Sequence, residues 1–468
     1  APSAFAQFAG SGLQVAVMMV AILGIVIFVH ELGHFLAARS CGVTVLKFSL
    51  GMGPELIGFT HEGTRYCIAW VPLGGFVQMA GDSPNEDGSM PVGGPEQFLT
   101  HPWPGRLWIA VAGPLMNLVT GFIVMVVMCI TGITLPDYPN LIGGVKPGTF
   151  ADKAGLHAGD RILRMNGREV STWHEIEQAA RDRDHHEPLD LDLERGTASL
   201  QIRVPAVQVR SVLLGLEPQP SPPIIGSLLT GLPAYRAGML EGDRILAVNG
   251  HAVATFGEVG TVVRVNADRI VHLQVLRKGR TFDLDVKPIT QGATDGRNDG
   301  IIGIEPPRAM TWVRHFKPGE ALSAGFSGTV DLIRTVYEGM WLSLTRPLYY
   351  REYVGGPIYI AQMARDSARK GTDQLLYFLA MINIAVMAFN LLPVPMLDGG
   401  HITLAFLEGI RRRALSAVAY NNFQKVGFVL VSTLFVLILS KDIVRPFQRQ
   451  HAVDASSRET TTVAPAPH

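Results

Sequence analysis

The sequence predicts a polytopic α-helical membrane protein with about four transmembrane helices, a membrane-associated β-hairpin or sheet, and two inserted strand-rich modules. Three observations support this fold class: a high apolar content, several long apolar stretches, and an internal repeat confined to a more polar segment. Of 468 residues, 47% are hydrophobic and only 17% are charged, which is little charge for a soluble protein. Basic and acidic residues balance at 40 each, so the net charge gives no reason to expect a nucleic-acid partner.

The long apolar stretches cover residues 13–38, 107–135, 375–397 and 414–440. Each can cross a hydrocarbon layer of about 30 Å as a helix. The last is the weakest candidate because its charge-free part runs only from Val426 to Ser440. The beginning of the chain lacks a basic region, and the first apolar run exceeds a signal-peptide core, so we expect a retained helix there.

The spacing of these stretches predicts the organisation of the whole chain. In order, we expect a first transmembrane helix (1–40), membrane-reentrant strands and a cytoplasmic loop (41–105), a second helix (106–136), two modules (137–210 and 222–292), an amphipathic surface helix region (310–370), a third transmembrane segment (372–410), a fourth helix (414–446) and a disordered tail (449–468). Basic residues are enriched in the loops after the first and third helices, which predicts that both loops are cytoplasmic and that the modules lie outside.

The internal repeat consists of two 26-residue segments that align without a gap. They begin at Ile142 and Ile225, and both contain AGxxxGDRIL followed by an Asn-Gly pair. A glycine before GDRIL suits the left-handed end of a short helix, and Asn-Gly suits a tight turn between strands. Each repeat therefore predicts a small strand-rich module, with the proline-rich segment 217–223 as a linker between them.

Two further segments predict structure near the membrane. Residues 319–345 place apolar side chains three or four positions apart, which indicates an amphipathic helix on the membrane surface or a helix packed on the modules. Between the first two membrane helices, short strands are expected at 65–71 and 76–79. Apolar strands next to membrane helices need a partner, so we expect a reentrant sheet against them.

The end of the first apolar stretch carries the sequence HELGH. His30 and His34 are four residues apart, so both imidazoles project from one helical face and can meet a single ion. Glu31 lies beside them, where a carboxylate can orient and deprotonate a water molecule. Ionisable side chains at membrane depth are unfavourable by a few kcal/mol each, about 2.5–3.5 on insertion scales, and therefore need a compensating partner. Zinc is the partner that this pattern indicates.

A third ligand is expected from another apolar segment. Asp398 follows a charge-free run, and Pro393 and Pro395 break the helix before it, so the backbone can bend and direct the carboxylate inward. His401 is the competing candidate. Asn390 lies one to two turns earlier, where its amide can hydrogen-bond substrate or backbone, or pack without a functional role.

In combination, the sequence motifs resemble those of the site-2 protease family of intramembrane metalloproteases. The likeness covers residues 13–445 and includes HELGH, AGPLMN at 112–117, GGPI at 355–358 and NLLPVPMLDGG at 390–400. The repeats resemble PDZ domains, in the arrangement found in bacterial envelope proteases. Such domains capture peptides by strand addition, or here could serve as a steric gate without peptide affinity.

The family resemblance implies a zinc endopeptidase of the bacterial inner membrane with its active site toward the cytoplasm. It implies His30, His34 and Asp398 as zinc ligands and Glu31 as catalytic base. Its substrates would be single-span membrane proteins, such as anti-sigma factors or remnant signal peptides, that another protease has trimmed, with the PDZ pair as a size filter. The hairpin would hold the substrate as an added strand, and its implied contacts, in addition to Asn390, are Tyr66, Ile68, Gly74, Gly75 and Phe76.

Two other classes of protein remain compatible with some of these features. A zinc transporter also places His and Asp at membrane depth, but it is expected to show inverted membrane repeats, whereas the repeat here is in the polar segment. A catalytically silent PDZ scaffold would keep the modules without using the HELGH pattern. Replacement of Glu31 by Gln separates a protease from both alternatives, because only the protease depends on that carboxylate.

Overall fold

A computed structural model describes residues 12–85, 89–182, 186–292, 298–307, 310–347, 355–413 and 415–458. The chain divides into two compact units. The first contains the chain up to Ile133 and His315–Arg445, and the second contains Thr134–Arg314 and the chain from Pro446.

The helices in chain order are α1 (Gly12–Ser40), α2 (Trp103–Thr131), α3 (Phe150–Lys153), α4 (Trp173–Asp182), α5 (Val209–Gly215), α6 (Pro233–Arg236), α7 (Phe256–Val265), α8 (Pro318–Thr345), α9 (Pro357–Lys370), α10 (Thr372–Asn390), α11 (Asp398–Arg411) and α12 (Ala417–Arg458). The strands are β1 (Val45–His61), β2 (Thr64–Met79), β3 (Ile133–Asp137), β4 (Ile142–Val145), β5 (Arg161–Met165), β6 (Arg168–Glu169), β7 (Leu189–Arg195), β8 (Ala198–Val204), β9 (Leu216–Pro218), β10 (Ser227–Leu228), β11 (Arg244–Val248), β12 (His251–Ala252), β13 (Val271–Arg277), β14 (Arg280–Val286), β15 (Ile289–Gly292), β16 (Asn298–Ile301), β17 (Ile304–Glu305) and β18 (Met310–Arg314).

Four helices of the described chain are long and apolar enough to cross a membrane, which confirms the predicted class of fold. The candidate spans are Val20–Ser40, Trp103–Thr131, Thr372–Asn390 and Ala417–Asp442. The third span ends at Asn390, and α11 begins at Asp398 after the segment that contains Pro393 and Pro395. A proline has no amide hydrogen to donate and clashes with the preceding turn, so the chain leaves the helix where the sequence predicted a break.

Helix α8 packs against two membrane helices of the first unit. Its buried residues include Ala321, Gly325 and Thr329, four positions apart on one face. A Cβ atom added at Gly325 would lie 2.5 Å from a Val126 methyl group on α2, so only glycine allows this approach. The predicted amphipathic region contains two helices, α8 and α9, and both belong to the membrane-helix unit. The small residues on one face of α8 give α2 a surface against which it can pack.

The hairpin of β1 and β2 is a folded sheet rather than a simple pair of strands. Ser49 and Leu50 pair with Phe76 and Gly75 on one side, and the same two residues pair with Cys67 and Ile68 on the other. Residues 47–50 thus form a central strand, while residues 75–78 form a strand beside them. The two halves of β2 therefore lie on opposite sides of the central strand.

The second unit contains two modules with the same strand order. One has the antiparallel sheet β6-β5-β7-β8 and the other has β12-β11-β13-β14. In each module a buried aspartate of the GDRIL motif receives hydrogen bonds from an arginine, Arg195 to Asp160 and Arg277 to Asp243. Burial raises the pKa of Asp160, but the hydrogen bonds from Arg195 and the His157 amide outweigh burial and hold that pKa below its usual value.

Each module extends beyond its predicted end. Strand β9 pairs with β4, so the first module continues to Pro218 rather than ending at residue 210. Strand β17 pairs with β10, and Ile302 lies in the second core, so that module continues past the predicted end at 292. The predicted linker 217–223 is rich in proline, and neither its composition nor that of the segment after residue 292 revealed that a strand lies there. These closing strands need partners far away in sequence.

The end of the chain differs from its predicted disorder at residues 449–458, which continue helix α12. Gln and Arg are good helix formers, and polarity alone does not separate an exposed helix from a disordered segment. The predicted disorder at 459–468 lies outside the described residues.

Candidate metal centre

The HELGH end of α1 crosses α2 at very short distance. A Cβ atom added at Gly33 would lie 2.3 Å from the main-chain oxygen of Ala112. On the other helix, a Cβ atom added at Gly113 would lie 2.2 Å from Nε2 of His34. Glycine at both positions therefore lets the two helices meet where His34 needs space. The AGPLMN motif supplies the second half of this close contact.

Asp398 is positioned by a tightly folded loop at the start of α11. A Cβ atom at Gly399 would lie 1.9 Å from the carbonyl oxygen of Leu392, and one at Gly400 would lie 2.6 Å from that of Val394. Met396, just before the helix, has a positive φ of 74°, which is unusual for a residue with a side chain. The two glycines after Asp398 thus allow the preceding loop to fold onto the helix and fix the first residue of α11.

Three polar side chains converge where α1 meets this loop. Nε2 of His30 lies 3.0 Å from Oδ2 of Asp398, and Nε2 of His34 lies 3.3 Å from Oδ1. The two Nε2 atoms lie 3.2 Å from each other. Both imidazoles are buried, and Asp398 Oδ2 has no hydrogen-bond partner of acceptable geometry. The three residues form a group that could hold a metal ion.

These distances fit a zinc ion. Nitrogen and oxygen ligands at about 2.0–2.1 Å in a tetrahedron lie about 3.3–3.4 Å from one another. The measured separations of 3.0, 3.2 and 3.3 Å are close to that value. Two imidazoles and one carboxylate are also a ligand set that leaves a coordination position open, as catalytic zinc sites require. The residues present therefore fit zinc.

The outer nitrogens of both histidines face α2. Nδ1 of His34 lies 2.8 Å from the carbonyl oxygen of Ile109, which can accept its hydrogen. Nδ1 of His30 lies 3.0 Å from Nδ2 of Asn117. Asn117 is the last residue of AGPLMN, and no role was predicted for it from the sequence. The available signal was a polar amide inside an apolar transmembrane stretch, where it needs a partner.

A cavity of about 650 Å³ opens onto the three converging side chains. Its lining contains Glu31, Asn390 and the strand residues Gly74, Gly75 and Phe76. A Cβ atom added at Gly75 would lie 3.2 Å from Cγ of Glu31, so the strand and the glutamate are close neighbours. The cavity thus brings the predicted base, the predicted ligands and one edge of the hairpin together.

The structure does not bring every predicted contact to this cavity. Tyr66 packs against Phe35 and Phe59, and Ile68 is about half exposed; neither side chain lines the cavity. The reason is the folded sheet, in which residues 65–68 lie on the opposite side of the central strand from residues 75–78. His401, the competing ligand, lines the cavity but is outside the converging group.

Comparison with known proteins agrees with this geometry. The model of Peptidase family M50 matches residues 18–434. The chain belongs to peptidase family M50. This M50 chain is also 30% identical over 447 residues to "Protease RseP" of Yersinia pestis, and 29% identical over 449 residues to "Putative zinc metalloprotease NMA0084" of Neisseria meningitidis. Each alignment covers 90% of the chain and 97% of the relative.

Membership of family M50 confirms several of the predictions made from sequence. The resemblance to site-2 proteases is correct, and the protein is a zinc-dependent metalloendopeptidase. Together with the four candidate spans, this makes it an intramembrane protease with a lipid bilayer as its environment.

Proposed function

We propose that this protein cleaves single-span membrane proteins within the membrane by zinc-dependent hydrolysis at His30, His34 and Asp398. The observation that carries the proposal is the convergence of these three side chains, from two segments more than 360 positions apart, at distances suited to zinc. Ionisable groups buried in membrane helices are unfavourable unless they pair with one another or bind a ligand. A bound cation removes that penalty and gives the group a function.

In this proposal the three side chains hold zinc and Glu31 is the general base. Zinc, when bound, would act as a Lewis acid that lowers the pKa of water and polarises the scissile carbonyl group. Glu31 lines the same cavity and follows His30 directly in α1, so its carboxylate can accept a proton from the attacking water. Glu31 then returns the proton to the leaving amide nitrogen, which completes hydrolysis.

The substrate would bind as an extra strand along Gly74, Gly75 and Phe76. Residues 75–77 pair with β1 and also line the cavity. Glu31 interacts with the backbone amide of Val77, so the cavity side of this strand faces the base. A helical substrate must unwind before its peptide bond can be attacked, and main-chain hydrogen bonds along a strand stabilise the extended form. Asn390, also in the lining, would bind the substrate backbone.

The biological setting is proposed from the relatives. A Salmonella typhimurium protein that is 28% identical over 90% of the chain carries the name "Regulator of sigma-E protease RseP". We place this protein in a bacterial inner membrane, with the active site toward the cytoplasm and the two modules in the periplasm. Its substrates would be anti-sigma factors whose outer domains have already been trimmed, or remnant signal peptides. The modules would act as PDZ domains that exclude larger substrates.

The decisive experiment replaces Glu31 by Gln in purified protein supplied with a defined single-span substrate. We expect cleavage to fall by about 10²–10⁴-fold, because proton transfer is lost. Zinc content should remain at the wild-type level, since Glu31 is not a ligand. As a matched test of the ligand set, Asp398→Asn should lose zinc, whereas His401→Gln should retain it.

These variants also discriminate the alternative classes. A transporter with Glu31→Gln would keep much of its zinc flux in vesicles, and a scaffold would keep its binding partners. If Glu31→Gln still cuts the substrate at the wild-type rate, or if Asp398→Asn binds zinc as the wild type does, the proposed mechanism is incorrect.

A further inference from the structure

We infer that Asn117 is a positioning residue for His30: its side-chain oxygen accepts the Nδ1 hydrogen and leaves Nε2 free to bind zinc. This inference rests on the proposed role of His30 as a ligand. It concerns a residue of α2 that contacts neither the cavity nor the other two ligands among the described contacts.

The contact is well defined and fully enclosed. Nδ2 of Asn117 lies 3.0 Å from Nδ1 of His30, and Asn117 has no exposed surface. The other amide atom, Oδ1, is buried without a hydrogen-bond partner. A buried polar atom without a partner is unfavourable by about 1–3 kcal/mol. Such a group needs an explanation, and the contact of Asn117 with His30 offers one.

The chemistry of a neutral imidazole determines which amide atom must face His30. If Nδ2 donates to Nδ1, the single ring hydrogen is on Nε2, which then faces Asp398 as a donor and cannot bind a metal. If Oδ1 accepts from Nδ1, the lone pair of Nε2 is available. A half-turn of the amide exchanges the two atoms without moving the backbone. The zinc-binding state therefore requires the oxygen of Asn117 toward His30.

His34 provides an internal comparison. Its Nδ1 lies 2.8 Å from the carbonyl oxygen of Ile109, a main-chain acceptor that no side-chain replacement removes. Both ligands are thus oriented from α2, one by the backbone and one by a side chain. Outer partners of this kind fix the tautomer and ring orientation of metal-binding histidines, and their loss typically weakens metal affinity by about 10–100-fold.

The test measures zinc affinity by chelator competition in the full-length protein for Asn117→Ala, Asn117→Leu and Asn117→Asp. We expect the first two to bind zinc about 10–100-fold more weakly. Asp keeps an acceptor toward Nδ1, so it should restore affinity to within a few-fold of the wild type. A purely structural role predicts the reverse order, because a buried carboxylate is harder to accommodate than an apolar side chain.

Asn383 is the matched control. It is a fully buried asparagine on α10 whose Oδ1 also lacks a partner, while its Nδ2 donates to the Leu379 carbonyl oxygen. Asn383→Ala should lower thermal stability and leave zinc affinity unchanged. The visible spectrum of the cobalt-substituted protein gives a second measurement, because it reports ligand geometry independently of cleavage. It should change for Asn117→Ala and recover for Asn117→Asp.

The outcomes separate this inference from the proposed function. If Asp398→Asn loses zinc but Asn117→Ala and Asn117→Leu bind it like the wild type, the role of Asn117 is refuted and the metal site stands. If Asn117→Asp binds zinc more weakly than Asn117→Leu, the positioning role is also refuted. Should Asn117→Ala fail to fold, the comparison of Leu with Asp gives the same decision.

Discussion

Small residues at the crossing of α1 and α2 allow the two helices to approach each other beside His34. Gly33 faces the Ala112 carbonyl oxygen and Gly113 faces His34, each at a separation that excludes even one methyl group. The metal ligands must be held accurately, because a displacement of about 1 Å can reduce an enzyme's rate by about 10²-fold. At this scale, the spaces left by glycine are as important as the ligands.

Gly33→Ala tests this close approach. The new methyl group would lie 2.3 Å from the main-chain oxygen of Ala112, so α1 and α2 must separate and His34 must shift. We expect a loss of cleavage of at least about 10²-fold together with weaker zinc binding. Both are measured on purified protein with a single-span substrate.

Gly24→Ala is the matched control in the same helix, because a Cβ atom there meets no heavy atom within 4 Å. It should keep wild-type cleavage and zinc content. Equal activity for the two alanine variants would show that the close crossing does not hold the ligands.

Among the elements, the hairpin and the loop before α11 decide which parts of the sequence reach the cavity. Residues 75–77 line the cavity, whereas residues 65–68 lie on the other side of the central strand. The proposed substrate strand therefore adds to the edge of the sheet that lines the cavity. Strand addition depends on main-chain geometry, so the space beside this edge should matter more than its side chains.

Gly75→Val narrows that space. A Cβ atom added at Gly75 would lie 2.8 Å from Ile27 Cγ2 and 3.2 Å from Glu31 Cγ, so a branched side chain would push this strand away from α1 and displace the edge to which the substrate is proposed to bind. We expect kcat/KM to fall by more than about 10-fold, which corresponds to about 1.4 kcal/mol of transition-state stabilisation. Zinc content should not change.

Ile68→Ala provides the comparison on the same hairpin. Its side chain is outside the cavity lining, so cleavage should stay close to the wild-type rate. If Ile68→Ala impairs cleavage while Gly75→Val does not, the substrate binds along another part of the hairpin.

For the whole molecule, the two compact units separate the metal centre from the repeated modules. The converging ligands, the hairpin and the cavity all belong to the first unit, and both modules belong to the second. The second unit is inserted through β3 and β18, which pair with each other. Because these strands are neighbours, the ends of the insertion lie close together, and a short linker can replace it.

Replacement of residues 134–314 by a short Gly-Ser linker tests the proposed size filter. The first unit keeps the metal ligands, so we expect it to bind zinc and to cleave a trimmed substrate. An untrimmed substrate with a folded outer domain should now be cleaved as well, whereas the intact protein should cut only the trimmed form. Both substrates are compared with intact and shortened protein in the same vesicles. A shortened protein that retains zinc and still rejects the untrimmed substrate would contradict the filter.

Local patterns in the sequence were enough to predict the membrane helices, the Pro393–Pro395 break and the placement of His30 and His34 on one face. Each depends on residues within a few turns of one another. The closing strands β9 and β17, in contrast, were missed, because their pairing partners are about 75 residues away. Tyr66 and Ile68 were grouped with Gly75 for a related reason: a linear motif does not show that the strand folds back across the sheet.

The amino-acid sequence by itself determined the apolar spans, the paired histidines with their neighbouring glutamate, and an aspartate after a broken helix. Those features follow from composition and from helical periodicity, which are local. The tertiary structure brings Asp398, which the sequence already favoured over His401, to the two imidazoles, and only the tertiary structure shows that Asn117 contacts His30. Such contacts depend on how closely helices and loops approach each other. Glycines permit the close approach, and their importance is visible only when the opposing backbone is in place.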